Sequence, residues 1–161
     1  MSPSGARAVD VVLVAEDQEE DVVLLRYAFQ LAGVLNPIHV VRDGHECISY
    51  LAGDGKYGNR EEYPLPVLLL LDLKMPRMDG FEVLRWVRRE PGLSRLPVVV
   101  LTTSEDIFDI NRAYELGANS FLVKTLDIQT FADLAEQLGR YWLNLSRVPD
   151  NERPARVPLP D

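Results

Sequence analysis

The sequence predicts a doubly wound α/β fold, and three observations carry that prediction. Short apolar runs, VVLVA at 11–15, VLLLL at 67–71 and PVVVL at 97–101, read as strands buried on both faces. Between them, apolar residues recur at spacings of three and four, as in amphipathic helices. Strand and helix alternate along the chain, which implies a parallel sheet with helices on both faces. The run at 67–71 ends in Asp72 and a turn marked by Pro76 and Gly80. It therefore places a carboxylate at the C-terminal edge of the sheet, where open α/β folds carry their active sites. Asp is also a common turn residue, and this strand alone does not separate the two readings.

In order, Val11–Ala15 is the first strand, followed at once by Glu16, Asp17 and Gln18. Val22, Leu25, Phe29 and Ala32 give residues 19–32 a helical period, which Gly33 ends as its C′ residue. Pro37–Val41 is the second strand and Asp43-Gly44 a turn. A helix with Ile48 and Leu51 on one face then stops at Gly53, and the polar, Gly- and Pro-broken residues 54–66 read as a long surface loop. After the third strand, Phe81, Leu84 and Val87 mark a helix closed by Pro91-Gly92. The fourth strand, Pro97–Leu101, runs into Thr102-Thr103-Ser104. Thr103 and Asp106 have capping-box spacing for a helix containing Ile110 and Ala113 and ending at Gly117. Ser120–Val123 is the fifth strand and leads to Lys124. Asp127 N-caps a last helix with the stripe Ile128, Phe131, Leu134, Leu138, Tyr141 and Leu145. Five such units are expected in the flavodoxin-like strand order 2-1-3-4-5.

Composition narrows the function. A length of 161 residues with 47% apolar content fits one domain with a proper core. A net charge of −8 speaks against a nucleic-acid partner, since phosphate binding needs basic surface. The single cysteine, Cys47, allows no internal disulfide, suits a reducing cytosol and reads as a small buried residue. MSPSGARAVD has no apolar h-region, and no apolar run approaches the roughly 20 residues of a membrane helix. A soluble, cytoplasmic protein without a membrane partner is expected.

The predicted strand order collects chemistry at one edge. Strand 1 delivers Glu16 and Asp17, strand 3 Asp72, strand 4 Thr102 and strand 5 Lys124. Converging carboxylates repel one another, and a hard cation such as Mg²⁺ relieves that. Metal and lysine together would neutralise a transferring phosphoryl group, the main requirement of phosphoryl transfer. A carboxylate placed there can act as the nucleophile, with the Thr102 hydroxyl donating to a phosphoryl oxygen. Gly53–Gly58 also matches G-x-G-x-x-G, but it follows a helix and leads into a loop, whereas the dinucleotide fingerprint follows a strand and opens a helix. His39 and His45 lie away from the acids, and Arg85, Arg88, Arg89 and Arg95 read as a solvated face.

The set AED at 15–17, LLDLKMPRMDG at 70–80, VVVLTTS at 98–104 and GANSFLVK at 117–124 resembles the receiver domains of two-component response regulators. The resemblance covers residues 10–145, with 146–161 a Pro-rich tail, expected to be disordered or exchanged in a dimer. It implies that Asp72 accepts a phosphoryl group from a phosphohistidine on a sensor histidine kinase. Glu16, Asp17, Asp72 and the Lys74 backbone carbonyl would hold Mg²⁺, and Thr102 and Lys124 would contact the phosphoryl oxygens. Loop 54–66 and the ending LGRYWLNL further resemble the single-domain regulators of phytochrome-type kinases.

Two features depart from the usual receiver pattern. Lys124 is followed by Thr125 instead of proline, so a trans peptide is expected there. The switch aromatic on strand 5 is Phe121, which has no hydroxyl, so gating with Thr102 must work by packing. The implied function is a phosphoacceptor switch, not a turnover enzyme, with output through protein contacts and a homodimer through helix 5 and the C-terminal region. Two rivals are a phosphorylation-independent pseudo-receiver and a haloacid-dehalogenase-like phosphohydrolase. The second would carry D-x-D near strand 1, whereas the pattern here is Asp72-Leu73-Lys74 on strand 3.

Overall fold

The computed structural model describes residues 10–125 and 127–145. Strands β1 (Val12–Ala15), β2 (Ile38–Val41), β3 (Leu68–Leu71), β4 (Val98–Thr102) and β5 (Ser120–Val123) form one parallel sheet in the order β2-β1-β3-β4-β5. Helices α1 (Glu19–Leu31), α2 (Gly44–Ala52), α3 (Gly80–Arg89), α4 (Ile107–Glu115) and α5 (Ile128–Leu138) alternate with them. This is the flavodoxin-like arrangement the pattern predicts. The central strands read as continuous apolar runs because the two-residue period of a strand feeds two cores. Leu13, Ala15, Leu69, Leu71, Val98 and Val100 pack with Cys47, Tyr50, Leu84 and Val87 on the α2–α3 side. Val12, Val14, Leu68, Leu70, Val99 and Leu101 pack with Leu25, Phe29, Phe131 and Leu138 on the α1–α5 side.

Helix ends follow local chemistry. Asp43, Asp79, Asp106 and Asp127 cap α2, α3, α4 and α5 by accepting backbone N–H bonds from Glu46, Glu82, Phe108 and Thr130. Gly33, Gly53 and Gly117 follow α1, α2 and α4 with φ of 73°, 76° and 106°, a region other residues rarely adopt. The α4 cap differs from the expected Thr103–Asp106 box. Asp106 is itself the cap, and Ser104 braces the turn by donating to Asp109 Oδ2 at 2.7 Å.

The structure departs from the sequence reading in four further places. Residues 54–66 are not a plain surface loop. A 3₁₀ turn at Gly55–Gly58 buries Tyr57, and Arg60 donates to the carbonyls of Tyr50 (2.7 Å), Leu51 (2.8 Å) and Tyr63 (3.2 Å) at the end of α2. The Tyr50 hydroxyl donates to the Pro64 carbonyl at 2.9 Å, which leaves it to accept from His39 Nδ1 at 2.8 Å. Arg88 does not belong to a solvated face: it donates to the carbonyls of Gly117, Ser94 and Leu96 and to Asn119 Oδ1, tying α3 to the starts of β4 and β5. Ile48 is only partly buried, and α2 packs through Cys47, Tyr50 and Leu51 instead.

The last helix is not continuous. It ends at Leu138 and passes into a π-helical turn, Gly139–Leu145, with Gly139 so close to the Val34 side chain that a Cβ would collide. Along the predicted stripe Phe131 and Leu138 are buried, but Ile128 and Tyr141 are 51% and 56% exposed. The side chain of Leu145 and the tail 146–161 lie outside the described residues. Among those residues no helix is long and apolar enough to cross a membrane.

Candidate functional site

The site forms because the sheet ladder continues one residue past its strands. Asp72 N donates to the Ala15 carbonyl (3.1 Å), Glu16 N to Val41 (2.9 Å) and Lys124 N to Thr102 (2.7 Å). Glu16 and Asp72 are therefore launched from the ends of central strands and Lys124 from the end of edge strand β5, and β3, flanked by β1 and β4, puts Asp72 in the middle. After Asp72 the chain turns sharply into α3. Gly80 N donates to the Leu73 carbonyl at 2.9 Å, and a Cβ at Gly80 would collide with the Asp72 carbonyl, so the approach admits only glycine. The turn is braced from α2: Arg77, at φ 66°, pairs with Asp43 at 2.7 Å, and Gly44 lies against Met78.

The structure brings Glu16, Asp17, Asp72, Thr102 and Lys124 together. One carboxylate oxygen each from Glu16, Asp17 and Asp72 lie within 4.8 Å of one another. Glu16, Asp72 and Thr102 are buried. Lys124 reaches the acids from the end of β5. Its Nζ donates to Glu16, to Asp21 Oδ2 at 2.9 Å and to Asp72 Oδ2 at 3.3 Å. No cis peptide occurs among the described residues, so Lys124–Thr125 has the expected trans geometry. Lys74 N donates to Asp72 Oδ1 at 3.3 Å while the Lys74 side chain points to an exposed surface. Phe121 is partly buried and packs against the α2–α3 core, two strands from Asp72.

Electrostatics match this crowding. Burial pushes the Glu16 carboxyl up, and the Asp72 charge adds to that against the opposing pull of Lys124, leaving it at about 7. Burial disfavours the Lys124 ammonium, but its bonds to Glu16 and Asp21 and the Asp72 charge prevail and hold it up at about 12. Among the described residues, the buried Asp17 Oδ1 and Thr102 Oγ1 have no hydrogen-bond partner in the protein. Buried polar atoms are nearly always paired, by protein, water or an ion. Three converging carboxylates with an unpaired oxygen suit a hard divalent cation, and a hydroxyl and a buried ammonium at the ends of the adjacent strands β4 and β5 suit an anion's oxygens. A cavity of about 10 Å³ lies behind Glu16, Asp21, Asp72 and Lys124, room for about one water.

Sequence reasoning missed Asp21, the third partner of Lys124. It lies in the first turn of α1 beside Glu19 and Glu20, acids of the kind any helix N-terminus favours, so no local pattern singles it out.

This fold and edge are those of a phosphoacceptor receiver, and comparison with known proteins agrees. The response regulator receiver domain profile matches residues 12–136, and the chain belongs to that family. Receiver domains are phosphoacceptor switches served by sensor histidine kinases, and they bind divalent metal at an acidic pocket. Response regulator Rcp1 of Synechocystis is 34% identical over 139 residues, covering 86% of this chain and 92% of that protein. The probable methanogenesis regulatory protein FilR2 of Methanothrix harundinacea is 37% identical, covering 86% and 87%. The crystal structure of the phosphorylated cyanobacterial phytochrome response regulator RcpA superposes with a TM-score of 0.82 at 34% identity, covering 89% of this chain and all of that one. The Mn²⁺-bound form of Rcp1 superposes at 0.79.

Proposed function

We propose that this protein is a response regulator in which Asp72 accepts a phosphoryl group from a phosphohistidine on a sensor histidine kinase of the phytochrome type. The observation that carries the reading is Asp72 itself: buried, central, with Lys124 Nζ 3.3 Å from one oxygen and two further carboxylates within 4.8 Å. An Asp72 oxygen attacks phosphorus in line, forming the O–P bond as the N–P bond breaks, and the electron pair leaves on the imidazole nitrogen. Glu16, Asp17, Asp72 and the Lys74 carbonyl are the groups that would hold Mg²⁺, which supplies charge neutralisation for the phosphoryl oxygens. Lys124 stabilises the same oxygens, and the Thr102 hydroxyl, unpartnered at rest, donates to one of them.

Drawing Thr102 toward the phosphoryl group vacates space that Phe121 can enter by rotation, which reshapes the surface around β5 and its neighbours. Two surfaces support the protein contacts. Val23, Tyr27 and Ile128 expose apolar side chains beside Glu19 and Glu20, close to the mouth of the site, and suit the kinase. A groove of about 470 Å³ at edge strand β5, lined by Leu122, Leu134, Leu138, Tyr141 and Trp142, suits a second copy and so a homodimer through α5. The whole cycle belongs to the cytoplasm.

The test is phosphorylation by a small-molecule phosphodonor with Mg²⁺, comparing wild type with Asp72→Asn. Acid-labile label should appear on wild type alone and vanish with a chelator. Equal label on both proteins would remove Asp72 as acceptor, and no label on a folded, Mg²⁺-binding wild type would favour the pseudo-receiver.

A further inference from the structure

Lys124 has three carboxylate partners, and one stands outside the metal-capable group. Glu16 and Asp72 belong to the acidic cluster with Asp17; Asp21, at 2.9 Å from Nζ, does not. The Lys124 side chain is 7% exposed and that of Asp21 29%. The ammonium is thus cut off from water and depends on its acids, because a buried charge without a partner is costly. A divalent cation held by Glu16, Asp17 and Asp72 draws on two of the carboxylates that Lys124 pairs with. Either the lysine competes with the metal, or a partner outside the cluster keeps it. Asp21 is fixed for that task, since α1 is anchored just after it by the buried Val22 and Leu25.

We infer that Asp21 is a positioning residue for Lys124. When metal occupies the acidic cluster, Asp21 retains the ammonium beside Asp72, keeps it from competing for Glu16, and leaves its remaining N–H donors for the phosphoryl oxygens. This role rests on the metal- and phosphoryl-binding reading of the site. It explains why the first turn of α1 aims a third acid at a place already crowded with negative charge.

Mn²⁺ titration of the full chain, with free Mn²⁺ followed by electron paramagnetic resonance, tests it. Asp21→Asn should weaken Mn²⁺ binding about five- to tenfold, the worth of a charge-assisted bond at a partly exposed site, and Asp21→Glu should restore most of it. In a Lys124→Met background the same Asp21→Asn change should cost at least about threefold less, since the two residues act as a pair. Equal losses in both backgrounds would mean that Asp21 acts on the cation directly and would overturn the role. So would an unmoved Asp21→Asn protein when wild type binds normally; a wild type that does not bind Mn²⁺ overturns the metal reading and this role together. A second readout does not need the Lys124 variant. In the Mg²⁺-loaded protein the ¹⁵N–¹H correlation of the Lys124 ammonium should be visible while Asp21 shields its protons from exchange. It should be lost in Asp21→Asn, and its persistence there would also overturn the role.

Discussion

Replacing Thr102 by valine should move stability and signalling in opposite directions. Thr102 is 1% exposed and its hydroxyl has no partner in the resting protein. A buried hydroxyl left unpaired costs about 1–3 kcal/mol. Valine keeps the β-branched shape that suits the end of β4 and removes the unpaired oxygen. Some of the gain is returned as imperfect fit of the new methyl, so Thr102→Val should stabilise the unphosphorylated, metal-free protein by about 1 kcal/mol. For a domain of this size that raises the melting midpoint by about 3 °C. Once Asp72 carries a phosphoryl group the sign reverses, because valine cannot donate to it. The extra stability that phosphorylation confers on wild type should shrink by about 1.5–3 kcal/mol in the variant, the worth of a hydrogen bond to a charged group. Calorimetry of both proteins, with and without a phosphodonor and Mg²⁺, reads the two effects. A resting Thr102→Val protein destabilised by about 1 kcal/mol or more would refute the reasoning, since the hydroxyl must then be satisfied at rest, by water if not by protein.

Three other outcomes follow from the packing. Gly80→Ala should cost about 1–3 kcal/mol in urea unfolding, because its Cβ meets the Asp72 carbonyl and the Leu73 Cα; an unchanged midpoint would show that the turn yields freely. Asp43 is held below its ordinary 3.8, chiefly by the backbone N–H of Glu46, with Arg77 adding to the effect. Its stabilisation is therefore present above that value and lost as pH falls through the lower folded-state one. Urea midpoints taken from about pH 5 to pH 2 should fall less steeply in Asp43→Asn than in wild type. A Val23→Ser, Tyr27→Ser double variant should slow transfer from the kinase by about tenfold or more, as expected for losing apolar anchors at an interface. It should leave labelling by a small phosphodonor unchanged, and parallel losses with both donors would place those residues in the site instead of on a docking face.

The residues legible in the sequence share one property: each stands at the C-terminal end of a strand. Asp72 follows LLLL, Thr102 closes VVVLT and Lys124 follows SFLV, so strand pattern and topology placed them without side-chain detail. Asp21 was hidden because it sits among Glu19, Glu20 and Asp21, which read as the acids any helix N-terminus favours. Only the strand 5 lysine, about a hundred residues away, gives one of them a partner. Loop 54–66 was misread for a related reason. Its composition is polar, but Tyr57, Tyr63 and Arg60 do their work through contacts with α2 that no local pattern encodes. Arg88 shows the same limit, as its four acceptors come from two other segments, those leading into β4 and β5.

The two unpaired atoms show how the resting site is poised. Asp17 Oδ1 comes from the end of β1 and Thr102 Oγ1 from the end of β4, the strands on either side of β3 and Asp72. One can only accept and the other can donate, and a buried polar atom without a partner carries a desolvation cost. Lys124 offsets the repulsion among the acids by spanning Glu16, Asp72 and Asp21. A ligand that pairs the two orphaned atoms therefore gains binding energy the folded chain has already paid for, and a rigid parallel sheet lets both gains appear at one acid. On the proposed reading, the free energy available for switching grows with the number of buried polar atoms that a ligand newly pairs. Variants that satisfy the site better at rest, Thr102→Val among them, should be weaker switches for that reason.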